Sequence, residues 1–253
     1  MSYTKRYIFL SPHLDDAIFS CGDYISKLIS CDKEVTILTI FAGYPQKQKL
    51  QFSALQFHKQ CNLGEYPIKG RIKEDILACK RLHCSFKHLP YFECLYRQDR
   101  EGNFLYPTIY SSIQTEEILK KDILEEILLL VDANSVVFCP LSIGNHVDHI
   151  LVNEIGKQLE LMNYTVIYYE DFPYISEVSL EQYHQKTKNL KIHQERLQEL
   201  NYIDRISAIL CYKSQISIIW KSIDNLLMDI KKLYLRDASG YSIRFWVNKE
   251  IRL

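Results

Sequence analysis

Charge of either sign is not in surplus in this chain: its 253 residues carry 31 lysines and arginines against 31 aspartates and glutamates. The basic excess that would neutralise a phosphate backbone is missing, so no nucleic-acid partner is expected. No apolar run reaches the roughly 18 residues of a membrane-spanning helix, and no signal-like segment opens the sequence, which points to a cytoplasmic protein without a transmembrane segment. The eight cysteines are scattered with no Cys-x-x-Cys. That spacing argues against a disulfide framework or a cysteine zinc site and for reduced, mostly buried thiols. Glycine is equally scarce at eight, against eighteen tyrosines and eleven phenylalanines, rings that serve as core and as pocket wall alike. No repeat, low-complexity tract or interdomain linker is visible, so residues 1–253 are read as one domain.

Strand-like and helix-like stretches alternate along the first two thirds. Lys5–Pro12 reads as a strand, followed by a helix from Asp15 to about Ser30 with Ala17, Ile18, Cys21, Ile25, Leu28 and Ile29 at helical spacing. Glu34–Phe41 is β-branched and apolar, as a strand covered on both faces should be. Residues 42–70 form a long excursion around a short helix near Phe52–Cys61. Arg71–Leu82 is helical, Cys84–Phe92 supplies a third strand, and residues 93–112 make a tyrosine-bearing loop suited to a pocket wall. Thr115–Val131 is an amphipathic helix with Glu116 and Glu117 at its positive end. Ser135–Pro140 is a buried strand, a turn leads into a helix reaching about Leu161, and Thr165–Tyr169 is another strand. Residues 176–253 are expected to be a mostly helical extension, with helices over Glu181–Leu200 and Ile203–Leu235 and a final strand-like Tyr241–Val247. Such alternation predicts an α/β fold with a mainly parallel, doubly wound sheet, in which several strand ends meet at one crevice.

Two polar clusters sit just beyond strands: His13, Asp15 and Asp16, and then His146, Asp148 and His149. The topology allows them to meet. Adjacent carboxylates cannot point the same way from a turning backbone, so Asp15 and Asp16 are expected to do different work, one binding and one acting. Three nitrogen and oxygen ligands with an open fourth position are what a catalytic zinc requires. His-x-x-Asp supplies two ligands and the second cluster the third. The spare carboxylate would act as general base, and the spare histidine would donate a proton or stabilise an oxyanion. Asp148, beside that histidine, is expected to orient it and keep it charged. His58, His83, His88, His184 and His193 lack such company and are read as surface or capped residues.

Ser11-Pro12-His13-Leu14-Asp15-Asp16-Ala17 with a following Gly22, and His146-Val147-Asp148-His149 after a strand, resemble the two signature motifs of the PIG-L/LmbE family of zinc-dependent N-deacetylases. The family pattern is Pro-His-Pro-Asp-Asp-Glu and His-x-Asp-His. Weaker likeness extends through Arg71-x-x-Glu74-Asp75, through Tyr169 to Tyr174, and through Tyr212-Lys213-Ser214-Gln215. The resemblance implies a Rossmann-like three-layer fold and removal of an N-acetyl group from an N-acetylglucosamine-type amino-sugar conjugate. It implies one Zn²⁺ per chain, or another divalent ion in its place, on His13, Asp16 and His149. Asp15 then becomes the general base, His146 the acid or oxyanion partner, Asp148 the group that orients His146, and Arg71 the residue that holds substrate hydroxyls or phosphate. Apart from the resemblance, Arg71 fits equally well as a helix-surface ion pair with Glu74 or Asp75, and Tyr212 to Gln215 reads as a helix end. Leu14, Ala17 and Cys21 stand where the family has proline, glutamate and glycine, which bears on the substrate rather than the reaction.

Two other readings remain. Gly144-Asn145-His146 looks like the Gly-Asn-His turn of metallophosphoesterases, although the first strand end lacks their Asp-x-His. The aromatic loops would also suit a non-catalytic carbohydrate-binding protein, against which stands the spare carboxylate Asp15. A homo-oligomer is compatible with everything above.

Overall fold

The structure is a computed structural model describing residues 5–45, 49–64, 66–114, 116–235 and 240–249. Its centre is β1 (Arg6–Ser11), whose apolar run is buried from Ile8 onward because helices cover both faces of the sheet. Parallel neighbours on one side are β2 (Glu34–Thr39) and β3 (Ser85–His88), and on the other β4 (Val136–Pro140) and β5 (Thr165–Tyr169). Two antiparallel strands, β6 (Leu190–Arg196) and β7 (Ser242–Asn248), complete a seven-stranded sheet in the order β3-β2-β1-β4-β5-β7-β6. The winding direction reverses between β1 and β4. Right-handed crossovers therefore put α1 (Asp16–Ser30) and α3 (Pro67–Arg81) on one face and α4 (Glu117–Leu128) and α5 (Val147–Leu161) on the other. The carboxyl ends of β1 and β4, where the two polar clusters lie, flank that reversal, the place where such sheets open a crevice.

The main core runs the length of the sheet. Phe9 and Phe138 are register partners and stack with centroids 4.2 Å apart and planes within 8°. Burying each such ring contributes roughly 1.5–3 kcal/mol. A second, smaller apolar cluster lies over the strand ends: Leu14, Ala54, Cys94, Tyr96, Tyr106 and Val147 are among its members. Ala54 belongs to α2 (Phe52–Cys61) in the excursion, and Cys94 and Tyr96 to the 93–112 loop. Polar links join these two segments, Gln51 Nε2 to the carbonyls of Leu95 and Tyr106 at 2.8 Å each and His58 to Tyr96 Oη at 2.8 Å. Together they roof the crevice. Leu14, in the position where the family has proline, is fully buried under that roof.

Several boundaries differ from the sequence reading. The third helix starts at Pro67 rather than Arg71, since proline is tolerated in a first turn. The third strand shortens to Ser85–His88. Thr115, taken as a helix start, lies outside the described residues, as do 46–48 and 65 of the excursion and the last four residues. The largest correction is in the C-terminal third. Glu181–Leu200 is not one helix but α6 (Leu180–Thr187) followed by β6. Lysine, glutamine, glutamate and arginine favour helix locally, yet an edge strand open to solvent accepts the same residues, and seven registered pairs with β7 decide the outcome. Ile203–Leu235 breaks into α7 (Glu199–Ile209), α8 (Lys213–Ile219) and α9 (Ile223–Leu235) because Tyr212 and Trp220 turn inward to meet Phe19 edge-on. All eight cysteines are free thiols, and Cys31 alone is exposed. No helix among the described residues is long and apolar enough to cross a membrane.

Candidate active site

The turn after β1 is held by its own side chains. Ser11 Oγ donates to the carbonyl of His13 at 2.7 Å and accepts from Ala17 N–H at 3.0 Å, capping α1. The backbone N–H of His13 donates to Asp16 Oδ2 at 2.7 Å. The neighbouring carboxylates consequently diverge. Asp15 turns toward Arg71, 3.4 Å from Nη2, while Asp16 Oδ2 faces His13 Nδ1 at 3.1 Å and His149 Nε2 at 3.2 Å.

The turn after β4 is tighter. Ser142, Gly144 and Asn145 take φ of 61°, 85° and 59°, and a Cβ on Gly144 would fall 2.6 Å from Tyr174 Cδ1, so only glycine fits there. His146 caps α5 by accepting the N–H of Asp148 on Nδ1 at 3.1 Å. One turn on, His149 donates from Nδ1 to Asp171 Oδ1 at 2.6 Å, and its Nε2 is buried without a hydrogen-bond partner. A buried imidazole nitrogen beside a carboxylate, its far nitrogen fixed by a second carboxylate, is the arrangement of a metal-ligating histidine.

Two trios bring ligand atoms within 4.8 Å of one another: His13, Asp16 and His149, and His13, His146 and Asp148. The first fits a divalent cation and the second does not. Asp148 is already saturated, with Oδ1 accepting from Arg97 Nη1 at 2.6 Å and Oδ2 from Cys94 N–H at 3.0 Å and facing His13 Nε2 at 2.9 Å. Arg97 is buried between Asp148 and Glu116 and lies over the rings of Phe41 and Tyr106.

Electrostatics separates the groups further. Burial pushes the Asp15 carboxyl up to about 7, with Arg71 pulling against it and Asp16 adding to the rise. Asp16 is held well below the carboxylate range because His149 and His13 outweigh its burial. Burial lowers His149, but Asp16 and Asp171 more than reverse this and bring it to about 9. His13 is likewise raised, against its burial, by Asp16 and Asp148. His146 falls well below its ordinary value through burial and the neighbouring His13. Asp148 stays ionised because Arg97 and His13 overcome its burial.

All seven residues singled out from the sequence are buried at the same end of the sheet. His13, Asp15, Asp16, Arg71 and His146 line a cavity of about 450 Å³; Asp148 and His149 carry the contacts given above. Two expected pairings differ. The Asp148 carboxylate is 4.0 Å from His146 Nδ1 and turned to His13 and Arg97, because a buried guanidinium and a backbone N–H compete for it. Arg71 pairs with Glu93 at 2.6 Å and with Asp15 rather than with Glu74 or Asp75. Those two acids instead tie α3 to the start of α8: Glu74 accepts the N–H and Oγ of Ser214, and Asp75 accepts Tyr212 Oη at 2.6 Å. Asp171, Glu93, Arg97 and Tyr174 were not singled out. Asp171 carries the one legible signal, a carboxylate directly beyond β5. The isolated histidines pair locally, His88 with Asp75 and His193 with Glu195.

Comparison with known proteins follows the same lines. The sequence model of the family described as PIG-L: GlcNAc-PI de-N-acetylase matches residues 8–160. The 2'-N-acetylparomamine deacetylase of Niallia circulans is 28% identical over 194 residues, covering 69% of this chain and 70% of that protein. Among solved structures, the zinc-inhibited form of a teicoplanin deacetylase superposes with a TM-score of 0.82 at 22% identity, covering 98% of this chain and 100% of that one. The A40926 pseudoaglycone deacetylase gives 0.77 at 22% identity, with 96% of each chain covered. These structural likenesses speak for the three-layer α/β fold.

Proposed function

Since the chain belongs to the PIG-L family of deacetylases, we propose that it is a zinc-dependent N-deacetylase that removes the acetyl group from an N-acetylglucosamine-type amino-sugar conjugate. The observation that carries this reading is the buried His149 Nε2, which makes no hydrogen bond and faces Asp16 Oδ2 at 3.2 Å with His13 alongside, while a fourth group, Asp15, is left over on the cavity wall. His13, Asp16 and His149 would hold the ion, which when bound supplies a Lewis acid that polarises the amide carbonyl and acidifies water.

Asp15 takes the proton of the attacking water as oxygen adds to the carbonyl carbon. Its carboxyl, raised by burial, has a proton affinity matched to that step near neutral pH. His146 receives the negative charge that develops on the carbonyl oxygen. Its Nδ1 accepts a backbone N–H, so the neutral ring carries its proton on Nε2 and donates it as a hydrogen bond. The proton held by Asp15 then passes to the nitrogen as the C–N bond breaks, releasing acetate and the free amine. Arg71 fixes the Asp15 side chain and Glu93 fixes Arg71, and their shared wall meets the sugar hydroxyls. Location within the cell is read as cytoplasmic.

Acetate release from N-acetylglucosamine conjugates by zinc-reconstituted protein, set against the same protein after chelation, tests the proposal. Asp15→Ala should abolish turnover while zinc stays bound, and His149→Ala should lose the zinc. If the reconstituted protein releases no acetate from any of a broad panel of such conjugates, the reading fails.

A further inference from the structure

The wall of the cavity has a charge pattern that the reaction does not require. Among the described residues its lining contains four carboxylates, Asp15, Asp16, Glu93 and Glu177, against one arginine, Arg71, and two imidazoles, His13 and His146. Arg71 is 3% exposed and both of its terminal nitrogens are engaged, Nη1 with Glu93 and Nη2 with Asp15. The guanidinium is thus already matched by two carboxylates, which leaves no net positive charge there for an incoming anion. With Asp15 ionised, as it must be to act as base, and a divalent ion on the His13, Asp16 and His149 trio making His13 a neutral ligand, the wall is still one charge negative. Such a surplus inside a low-dielectric cleft repels phosphate and attracts ammonium groups.

The rest of the wall is neutral. Ser53, Gln56 and Gln60 recur at helical spacing on α2 and turn one polar stripe to the cavity, joined across it by Gln215 of α8. Amides and hydroxyls of this kind both donate and accept, which suits a ring bearing hydroxyls and amines. Ile109, Tyr110, Ile218 and Ile219 are among the wall's apolar and aromatic members; Tyr110 is 58% and Ile219 39% exposed. They give the mouth a face on which the apolar side of a sugar ring can lie.

Resting on the deacetylase reading above, we infer that the preferred substrate is an oligo-amino-sugar conjugate carrying free amines beyond the scissile amide, and that phosphorylated conjugates are turned away. Glu177, exposed on the wall and outside the reaction centre, is the residue that sets this preference at the entrance. The 2'-N-acetylparomamine deacetylase among the relatives is in keeping with it.

Three mono-N-acetylated probes test this with the zinc-loaded protein: an amine-bearing amino disaccharide, a neutral alkyl N-acetylglucosaminide, and N-acetylglucosamine 1-phosphate. Calorimetric binding reads the charge preference, and acetate release reads the reaction. The expected affinity order is amine-bearing, neutral, phosphate, with about a tenfold step between the first and last that shrinks as salt is raised. Glu177→Lys should lower the amine-to-phosphate affinity ratio by about tenfold, and Glu177→Gln by less. Phosphate binding as tight as the amine-bearing probe, or a ratio indifferent to Glu177→Lys, overturns the inference and leaves the deacetylase reading standing. The expected affinity order without acetate from any probe leaves the charge preference and overturns the reaction.

Discussion

Replacing Asp171 with asparagine isolates the support behind the proposed metal trio. Both oxygens of this carboxylate are used: Oδ1 accepts from His149 Nδ1 at 2.6 Å and Oδ2 from the backbone N–H of Ile143 at 2.9 Å. Asparagine has the same shape but one acceptor, so one of the two donors must face an NH₂ group. Leaving a buried donor unpaired costs about 1–3 kcal/mol. If the unpaired donor is His149, its ring is free to turn and its Nε2 becomes less basic, which typically weakens metal binding ~10–100-fold, equivalent to about 1.4–2.8 kcal/mol. Asp171→Asn should thus raise the zinc Kd at least ~10-fold in competition with a chromophoric chelator, and lower the urea midpoint of the metal-free protein. The two readouts separate two roles. A variant that loses stability but binds zinc as wild type does would show that Asp171 serves the Ile143 turn alone, and the argument that His149 is oriented from behind would be wrong.

Asp15→Asn should reduce turnover ~10²–10⁴-fold, and wild-type activity should climb with pH as the Asp15 carboxyl ionises, at or below the value of about 7 that it has without the ion. The same shift has a stability consequence in chelated protein: a carboxyl raised from 3.8 to about 7 on folding costs nothing below its unfolded value and progressively more up to about pH 7. The variant should gain on wild type from about pH 4 to about pH 7 and hold the gain above that, by up to ~4 kcal/mol in all; a gap that does not change with pH in urea melts would refute this. Gly144→Ala forces a Cβ against Tyr174 at a positive φ, and a loss of about 1–3 kcal/mol with lowered kcat is expected. Arg97→Leu takes the buried countercharge from Asp148 and Glu116, leaving Asp148 to His13 and the Cys94 N–H and Glu116 to Tyr106 Oη; a loss of about 3–5 kcal/mol should appear by thermal melting, together with altered zinc binding through His13.

Most of the sheet and the meeting of the two polar clusters at one end of it were legible because the relevant signals are local. Apolar runs such as Tyr7 to Leu10 and Val136 to Cys139 mark buried strands, and polar clusters directly beyond them mark the ligand end. What escaped depends on partners far along the chain. β6 is written in helix-forming residues and is a strand because β7 pairs with it across the whole of its length. Arg97 sits in a loop with no periodicity, and its meaning comes from Asp148, 51 positions away. Arg71 lines the cavity, but its pairing with Glu93 was not legible, since a helix-surface partner at Glu74 or Asp75 satisfies the same local pattern.

Asp148 shows how that missing information changes chemistry. Beside His146 in sequence, it suggests a carboxylate that keeps this histidine charged, ready to act as an acid. In the fold Arg97 and the Cys94 N–H draw the carboxylate away, and it meets His13 Nε2 instead. The two imidazoles proposed as ligands are then held from behind in opposite senses, His13 through Nε2 by Asp148 and His149 through Nδ1 by Asp171, which leaves Nδ1 of the first and Nε2 of the second turned to Asp16. His146 is left with a backbone N–H on Nδ1 and no carboxylate in hydrogen-bonding reach, so burial keeps it neutral. A neutral ring can donate from Nε2 to an oxyanion without first being protonated. The activity limb attributed to Asp15 should therefore have no matching fall from His146 at higher pH, and a profile that declines in the range of an ordinary histidine, and loses that decline in His146→Gln, would refute a neutral His146.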